Sequence, residues 1–386
     1  MSHGVYRKVP IAESLSVTGK KPIKVRWVIV NKGDAENPEY RARLVAKEIK
    51  MDQRLDLFAA TPPLEAKKFL FSLAVSLRAK SGKPYKVLFI DIKRAYFHAK
   101  CIRDVYVDLP AQDYQEGMCG KLEKAMYGTR DAAQNWEREY ESAFLRLGFQ
   151  QGKSSPCLFY HPAKDIRVVV HGDDFTFMGG DPELKWITEE LKKVYELKVR
   201  ATLGPEPHDD KSVRILNRIV SWSNDGIQYE PDQRHVEIVV KALGLEKGKS
   251  VVTPGAKEKL EPDNEQVLEG SIATLYRSLT MRLSYLAQDR PDIQFSCKEL
   301  AKGMSSPTQG DWQKLKRLGR YLIARPRVVL NFDYQNRVSF LDARVDTDHA
   351  GCVLTRRSTT GVVVMFGRHC LKNASNLQSV ISLASG

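Results

Sequence analysis

Residues 86–97 (KVLFIDIKRAYF) join the pattern of a buried strand to an acidic residue at its end. The mainly apolar run 86–90 predicts a short strand enclosed in a core, and Asp91 follows it directly. Residues 167–174 (RVVVHGDD) repeat this arrangement, because a β-branched strand opens into a turn that carries Asp173 and Asp174. If the two strands pair, the three carboxylates come together.

Three carboxylates gathered at one point are typical ligands of magnesium. Hard cations prefer carboxylate oxygens, and phosphoryl transfer to a growing strand uses two such ions about 4 Å apart. We therefore predict that Asp91, Asp173 and Asp174 are the catalytic and metal-binding residues. The sequence Gly172-Asp173-Asp174 by itself is more often an ordinary polar turn, so the prediction depends on neighbouring motifs.

The composition favours a protein that binds a polyanion. The 386 residues include 61 Lys and Arg against 47 Asp and Glu, which gives a net charge of +14. Such an excess favours nucleic acid as a partner, although a basic protein with dispersed charges has the same count. The outer face of a predicted helix near residues 312–322 carries several of these charges, namely Lys314, Lys316, Arg317 and Arg320. The sequence leaves two interpretations of this face open: it contacts a nucleic-acid duplex, or it is an ordinary solvated helix surface.

Cysteine usage and hydropathy restrict the setting of the protein. The six cysteines lack the paired spacing of a zinc knuckle and suit a reducing compartment. The sequence has no apolar run of about 18 residues and no signal-peptide pattern. We expect an intracellular protein without a membrane partner, and the sequence leaves its oligomeric state undetermined.

Strand, helix and hairpin patterns alternate along the chain and predict an α+β fold. Residues 24–31 and 43–45 form the pattern of a basic hairpin, and residues 64–77 keep helical spacing of apolar side chains. Residues 246–270 are polar and contain several Lys and Pro residues, which indicates a linker. We therefore predict three segments, 1–245, 246–336 and 337–386.

Five sequence blocks resemble, in order and spacing, the reverse transcriptase of copia-type (Ty1/copia) long-terminal-repeat retrotransposons. They are YRARLVAK (40–47), VYVDLP (105–110), LEKAMYGTRDAAQNW (122–136), SPCLF (155–159) and HGDDF (171–175). Tyr96 lies five residues after Asp91, as in the palm motif of this family. The resemblance covers residues 24–386 and implies a right-hand polymerase fold. Fingers and palm would occupy 1–245, a helical thumb and connection 246–336, and a partial RNase H-like α/β segment 337–386.

The resemblance also implies roles for nucleotide-binding residues. Arg41 and Arg43 of the fingers hairpin would contact the triphosphate, since the planar guanidinium pairs with phosphate oxygens. Tyr96 would screen the sugar of the incoming nucleotide, and Gln134 would lie near nucleotide and template. Each of the two arginines could equally be a solvent-exposed surface charge.

By this resemblance the protein would be an RNA-directed DNA polymerase, a nucleotidyltransferase that uses two Mg²⁺ ions, with Mn²⁺ as a substitute. Its partners would be an RNA or DNA template with a primer and deoxynucleoside triphosphates, and its location the cytoplasm or a virus-like particle. One alternative is a catalytically decayed transposon remnant that only binds nucleic acid. A metal-dependent nuclease that uses the same carboxylates is a third, less favoured interpretation.

Two departures from the family pattern affect these expectations. His171 and Gly172 stand where the family usually has an aromatic and a small apolar residue, and we expect the glycine to loosen the turn that holds the Asp pair. This favours the decayed remnant. Leu216-Asn217-Arg218 stands where the family tends to carry a glycine, near the hairpin that grips the primer.

The last part of the sequence resembles the first strands of the family's RNase H domain. The likeness rests on DTDHAG (346–351) and RRSTTG (356–361), and Asp346 would be the first metal ligand. RNase H chemistry needs a cluster of several carboxylates around two metals. The sequence ends where the family's next glutamate is expected, so we expect no RNase H activity.

Overall fold

A computed structural model describes residues 4–33, 36–49, 57–256, 262–352 and 354–383 of the chain. These residues form two compact units. The first contains residues 1–67 and 79–202, and the second contains residues 68–78 and 203–386. Both units mix helices and strands, so the α+β class is confirmed, while the division into 1–245, 246–336 and 337–386 stays a prediction.

Within the described residues, the first unit has eleven strands and three helices of its own. Its strands are β1 (Tyr6–Pro10), β2 (Val25–Asn31), β3 (Tyr40–Ala46), β4 (Lys86–Ile92), β5 (Tyr106–Val107), β6 (Met118–Leu122), β7 (Gln150–Gln151), β8 (Leu158–His161), β9 (Ile166–His171), β10 (Asp174–Gly179) and β11 (Leu197–Leu203). Its helices are α1 (Ile11–Thr18), α3 (Ala132–Arg146) and α4 (Asp181–Lys192), with short 3₁₀ turns at Ala95–His98 and Ala111–Asp113. Helix α2 (Leu64–Ser76) begins in the first unit and continues into the second, within one residue of its predicted bounds.

A six-stranded sheet in the order β11-β4-β10-β9-β8-β7 forms the centre of the first unit. Successive side chains of a strand point to opposite faces, so alternate residues of β4 and β10 line one face and pack against α3 and α4. This core is large and rich in aromatic side chains, among them Trp136, Phe144, Phe175 and Phe177, which pack with aliphatic residues such as Ile90 and Ile187. The apolar runs found in the sequence are therefore strands of one buried sheet.

Two smaller sheets complete the first unit. One has the order β1-β6-β5, and the other is the hairpin of β2 and β3, in which Val25 pairs with Ala46 and Asn31 with Tyr40. The basic hairpin predicted from the sequence is thus confirmed. Apolar side chains on it, including Trp27 and Ile29, are exposed.

The second unit contains two sheets and a group of four helices. Its strands are β12 (Ser212–Ile215), β13 (Arg218–Ser223), β14 (Gly226–Pro231), β15 (Leu330–Asp333), β16 (Asp342–Thr347), β17 (Thr359–Phe366) and β18 (His369–Leu377). Its helices are α5 (Arg234–Ala242), α6 (Gly270–Ala287), α7 (Gln294–Lys302) and α8 (Gln309–Ala324), with 3₁₀ turns at Pro262–Glu265 and Pro291–Ile293. The sheets have the orders β12-β13-β14-β15 and β16-β17-β18. No described helix combines the length and apolar character needed to cross a bilayer.

The turn between β12 and β13 carries backbone strain. Leu216 and Asn217 have φ values of 44° and 58°, and Ile215 pairs with Arg218 across them. Asparagine tolerates this left-handed conformation, whereas the Cβ of leucine makes it costly. The Leu216 carbonyl accepts hydrogen bonds from Arg218 Nη1 (2.7 Å) and the Tyr285 hydroxyl (3.1 Å), which hold the turn in place.

We predict that Leu216→Gly is more stable than Leu216→Ala by about 1 kcal/mol, because only glycine relieves the left-handed strain. Comparing these two variants cancels the loss of the leucine side chain. The free energy of unfolding from chemical denaturation measures the difference. The matched pair Val213→Gly and Val213→Ala in β12 should give the opposite order, since glycine weakens an ordinary strand. Equal stability of the two variants at position 216 would contradict the strain argument.

Candidate active site

Strand pairing brings Asp91 and Asp174 directly opposite each other. Strands β4 and β10 are antiparallel, and the register sets Asp174 against Asp91 and Phe175 against Ile90. Directly opposed residues of such a pair project from the same face with Cβ atoms about 5 Å apart. Asp173 is the next residue along, and its carbonyl accepts a hydrogen bond of 2.9 Å from the Ile92 backbone N–H. The structure therefore gathers the three predicted carboxylates at one end of the sheet.

The turn that carries the Asp pair is a two-residue hairpin connection between β9 and β10. His171 pairs with Asp174 across it, and Gly172 has a φ of 63°. A positive φ at the first central position is the requirement of a type II′ turn, where glycine is favoured. The expectation that Gly172 loosens the turn is therefore wrong, because glycine adopts this conformation without the steric cost of a Cβ.

Trp136 of helix α3 holds this turn from the core side. Its indole Nε1 donates a hydrogen bond of 2.9 Å to the Gly172 carbonyl. Its ring stacks on Phe175, the residue after the Asp pair, with centroids 6.1 Å apart and an interplanar angle of 16°. Trp136 is 1% exposed. One buried side chain thus fixes the residues on both sides of the carboxylates.

Burial and neighbouring carboxylates raise the pKa of both aspartates in the turn. Partial burial is the main cause that raises the pKa of Asp173, and the charges of Asp174 and Asp91 add to it. Burial also raises the pKa of Asp174, against the lowering effect of Lys67 and Arg200. Arg200 of β11 donates from Nη1 to Asp174 Oδ1 at 3.3 Å. Mutual repulsion of this kind is relieved by a bound cation.

The carboxylates of Asp91, Asp173 and Asp174 are chemically suited to bind a divalent metal ion. Three carboxylates supply the hard oxygen ligands that Mg²⁺ and Mn²⁺ take. The pKa values of Asp173 and Asp174 are raised mainly by burial, with a further contribution from the charge of Asp91. Among the residues that the structure describes, no three acidic, His or Cys side chains are gathered into a finished metal cluster. The carboxylates would have to draw together around an ion.

Two tyrosines and an arginine lie beside the carboxylates. The rings of Tyr96 and Tyr127 are 4.7 Å apart, and the Arg43 guanidinium lies over the Tyr127 ring at 5.3 Å from its centroid. Burial and then the charge of Asp173 raise the pKa of Tyr96. Arg41 lies two residues from Arg43 on β3, so both arginines project from the same face of that strand. The structure thus brings Arg43 and Tyr96 next to Asp173.

The hairpin of β2 and β3 is fixed to the rest of the first unit at its base. The Ala46 N–H donates to the Tyr127 carbonyl at 2.8 Å, and Gly128 has a φ of 87°. A Cβ on Gly128 would lie 2.0 Å from the Ala46 carbonyl oxygen, so only glycine permits this approach. The Arg43 guanidinium lies over the Tyr127 ring, so this backbone contact also helps to position Arg43 relative to the carboxylates.

An ion-pair network reinforces that junction. Arg103 donates from Nη1 to Glu48 Oε1 at 2.8 Å and from Nη2 to Asp131 Oδ1 at 2.9 Å. Glu48 follows β3, while Asp131 precedes α3 and accepts a 3.0 Å hydrogen bond from Asn135 Nδ2. The network therefore links the hairpin of β2 and β3, which carries Arg41 and Arg43, to helix α3, which carries Trp136.

The remaining predicted residues have less defined places. Gln134 lies in the first turn of α3, two residues before Trp136, and is half-buried. Lys93 and Arg94, which follow Asp91 in the sequence but are not among the predicted site residues, form exposed ion pairs with Glu196 at 3.0 and 2.9 Å. Asp346 lies on β16 of the second unit, and its carboxylate accepts a hydrogen bond from the Thr347 backbone N–H. Its role as a metal ligand stays a prediction.

Sequence reasoning missed Trp136 and Tyr127 as parts of the site. Both residues lie in the block 122–136, so the signal was present. The block gave no reason to separate the two aromatic rings from ordinary core residues, because their partners, Gly172 and Arg43, are distant in the chain.

Comparison with known proteins gives a family match over the first unit. Residues 14–206 match the family model described as reverse transcriptase (RNA-dependent DNA polymerase). The chain is 25% identical over 402 residues to the retrovirus-related Pol polyprotein from transposon TNT 1-94 of Nicotiana tabacum, covering 99% of this chain and 29% of that protein. It is 27% identical over 370 residues to the Pol polyprotein from transposon RE1 of Arabidopsis thaliana, covering 93% and 24%. The chain thus spans less than a third of the length of these relatives.

A solved structure also resembles this chain at low similarity. It is described as the foamy viral protease-reverse transcriptase dRH in complex with double-stranded DNA. The TM-score is 0.47 at 10% sequence identity, and the match covers 97% of this chain and 53% of the other.

We predict that Asp173→Asn raises the thermal unfolding temperature at pH 7. Because its pKa is raised in the folded state, the ionised Asp173 destabilises the fold at any pH above that pKa. The penalty disappears as pH falls through the raised pKa towards the ordinary carboxyl value of about 4. Calorimetry across this range should therefore show the advantage of the variant shrinking in acid.

Asp181→Asn is the matched control of opposite sign. A hydrogen bond from Lys185 is the main cause that lowers the pKa of Asp181. This variant should unfold at a lower temperature than the parent at pH 7, with the deficit fading in acid. An Asp173→Asn variant no more stable than the parent at pH 7 would contradict the proposed charge repulsion.

Proposed function

The chain belongs to the reverse transcriptase family, and we propose that it adds deoxynucleotides to a primer as an RNA-directed DNA polymerase of the copia type. The observation that carries the proposal is the strand register that sets Asp174 against Asp91, with Asp173 beside them. Its partners would be a primed RNA or DNA template and deoxynucleoside triphosphates. The primer 3′-hydroxyl would attack the α-phosphate and release pyrophosphate.

In this proposal the units take the parts of a right-hand polymerase. The six-stranded sheet of the first unit would be the palm, and the hairpin of β2 and β3 would belong to the fingers. Helices α6 to α8 of the second unit would form the thumb and connection, and β16 to β18 the start of an RNase H-like segment. The order of the five sequence blocks supports this assignment.

The three carboxylates would hold two divalent cations, Mg²⁺ or Mn²⁺. Such ions supply a lower pKa for the primer hydroxyl and neutralise the charge that develops on pyrophosphate. The chain's own contribution would be to hold Asp91, Asp173 and Asp174 together at one end of the paired strands β4 and β10. The β4–β10 ladder and the Trp136 hydrogen bond serve this purpose.

The residues of the fingers hairpin would bind and orient the triphosphate. Arg43 is preorganised, because the Tyr127 ring supports its guanidinium by a cation–π contact. Arg41, on the same face of β3, would add a second fork of donors for phosphate oxygens. Tyr96 would lie against the sugar, and Gln134 would contact the nucleotide or template.

The decayed-remnant alternative loses one observation that favoured it. A loosened Asp-Asp turn counted towards that interpretation, whereas Gly172 has the positive φ that glycine accommodates best. The nuclease interpretation gives no task to the fingers arginines or to Tyr96. Polymerisation therefore accounts for more of the site than either alternative.

A primer-extension assay tests the proposal. We expect the parent to extend a primed template with Mg²⁺ and to stop when the metal is chelated. Asp91→Asn and Asp173→Asn should each lower the rate by about a thousandfold or more, since each removes a metal ligand that stabilises charge in the transition state. Asp181→Asn, on α4, should extend at the parental rate.

The alternatives give different outcomes in the same assay. Binding of the duplex by the parent without extension would support the remnant, and metal-dependent shortening of the primer would support the nuclease. Either result would exclude the polymerase function.

Trp136→Phe tests the contact that positions the Asp turn. Phenylalanine keeps an aromatic ring against Phe175 but removes the donor to the Gly172 carbonyl, at a cost of about 1–3 kcal/mol in stability. We expect kcat to fall about tenfold or more while KM for the nucleotide changes little, because the turn and not the triphosphate site is released. Trp186→Phe on α4 is the control and should leave both constants unchanged. An unchanged kcat in Trp136→Phe would show that the hydrogen bond is only structural.

A further inference from the structure

A pocket of about 540 Å³ lies in the second unit, apart from the carboxylate site of the first. Its walls are the end of helix α2 with the residues that follow it, the segment after strand β15, and the turn before strand β18. The lining side chains that matter are Ser76, Arg78, Gln335, Arg337 and Arg368. Neither the sequence motifs nor the proposed polymerase chemistry uses these residues.

The floor of the pocket is a rigid polar network. Gln335 Nε2 lies 2.9 Å from Ser76 Oγ, 3.1 Å from the Phe366 carbonyl and 3.0 Å from His369 Nδ1. His369 is buried, and its Nε2 lies 2.8 Å from the Asp333 carbonyl, to which it donates. Nδ1 is therefore an acceptor, and burial, the main influence, lowers the pKa of this neutral imidazole. Gln335 is fixed by at least three elements of the fold.

Three arginines line the pocket together with Gln335, and none of the described residues that line it is acidic. Arg368 donates from Nη2 to the Tyr334 carbonyl at 2.8 Å, and its backbone N–H donates to Gln335 Oε1 at 3.0 Å. Arg78 and Arg337 are exposed, and within the described part of the chain neither side chain has a hydrogen bond or an ion pair. Three arginines thus line one pocket, and the described residues that line it with them include no acidic side chain.

We propose that this pocket binds phosphate groups of a nucleic-acid strand. Guanidinium groups pair with phosphate oxygens through several N–H donors at once, and an anion would relieve the repulsion among the three arginines. The exposed rim, formed by Arg78, Asn336, Arg337 and Arg368, admits a polymer as well as a small ion. The choice of a strand over a free polyphosphate rests on the proposed polymerase function, while the phosphate chemistry does not.

The test measures how duplex binding depends on salt. For the full chain, fluorescence anisotropy with a labelled primer–template duplex gives the slope of log K against log salt, and this slope scales as about 0.9 per phosphate that the protein neutralises. Arg78→Gln combined with Arg337→Gln should reduce the slope by about 2 and weaken binding about tenfold at moderate salt. Neither arginine side chain has an internal hydrogen bond or ion pair, so the unfolding temperature should match the parent.

The control removes the same charge elsewhere in the second unit. Arg325→Gln combined with Arg357→Gln replaces two exposed arginines that do not line the pocket. This variant should keep a slope within about 0.5 of the parent. Equal slopes in the pocket and control variants would overturn the proposal.

Two further measurements separate the sources of phosphate and the two proposals. If tripolyphosphate raises the unfolding temperature of the parent but not of the pocket variant, while the duplex slopes stay equal, the site takes a small polyphosphate and the strand assignment fails. Primer extension is scored in parallel. If the pocket variant has a reduced slope but the parent never extends a primer, the phosphate site stands and the polymerase function fails. If the parent extends a primer but the pocket variant keeps the parental slope, the polymerase function stands and the phosphate site fails.

Discussion

The antiparallel pairing of β4 with β10 is the constraint on which the candidate site depends. The side-chain period of a strand is two, so a slip of one residue would turn Asp91 towards the core packed against α3 and α4 and would move Ile90 out of that core. The apolar face of the same strands prevents this slip, because it is buried against the aromatic side chains of α3 and α4. The free energy of the core thus fixes the position of the carboxylates, although no carboxylate contributes to that core. Their mutual repulsion is a local cost that the core offsets.

A second constraint connects the arginine hairpin to the carboxylate turn through the residues near helix α3. Gly128 lets the backbone of β3 approach Tyr127, and Arg103 joins Glu48 to Asp131 just before the helix. Trp136, at the other side of that segment, holds the Gly172 carbonyl. The segment 126–136 therefore contacts both the proposed triphosphate ligands and the proposed metal ligands. A change at Gly128 would alter the position of the arginines and a change at Trp136 would alter the carboxylate turn, although neither residue touches a reacting atom.

Net charge alone gives a poor account of where a polyanion would bind. Part of the basic face of α8 supports the fold, since Arg317 donates to Thr253 Oγ1 at 2.8 Å and Arg320 donates to the Lys249 carbonyl at 2.7 Å. Lys68 and Arg218 are buried around Asp289, at 2.9 and 2.8 Å, and are not available to a ligand. By contrast, Arg78 and Arg337 belong to no motif in the sequence, yet they share a pocket without an acidic neighbour. The position of each charge decides its role.

The sequence by itself determined the α+β class, the hairpin of β2 and β3, helix α2 and the ends of the strands that carry Asp91 and the Asp pair. These features follow from local periodicity and turn chemistry, which a short window of residues contains. Five ordered blocks also indicated the family to which the chain belongs. Only the tertiary structure decided that Gly172 suits its turn, that Trp136 and Tyr127 support the site, and that three arginines line one pocket in the second unit. Each of these features depends on a backbone conformation or on a contact between residues far apart in the chain. The spacing of residue types within a short stretch of sequence reveals neither.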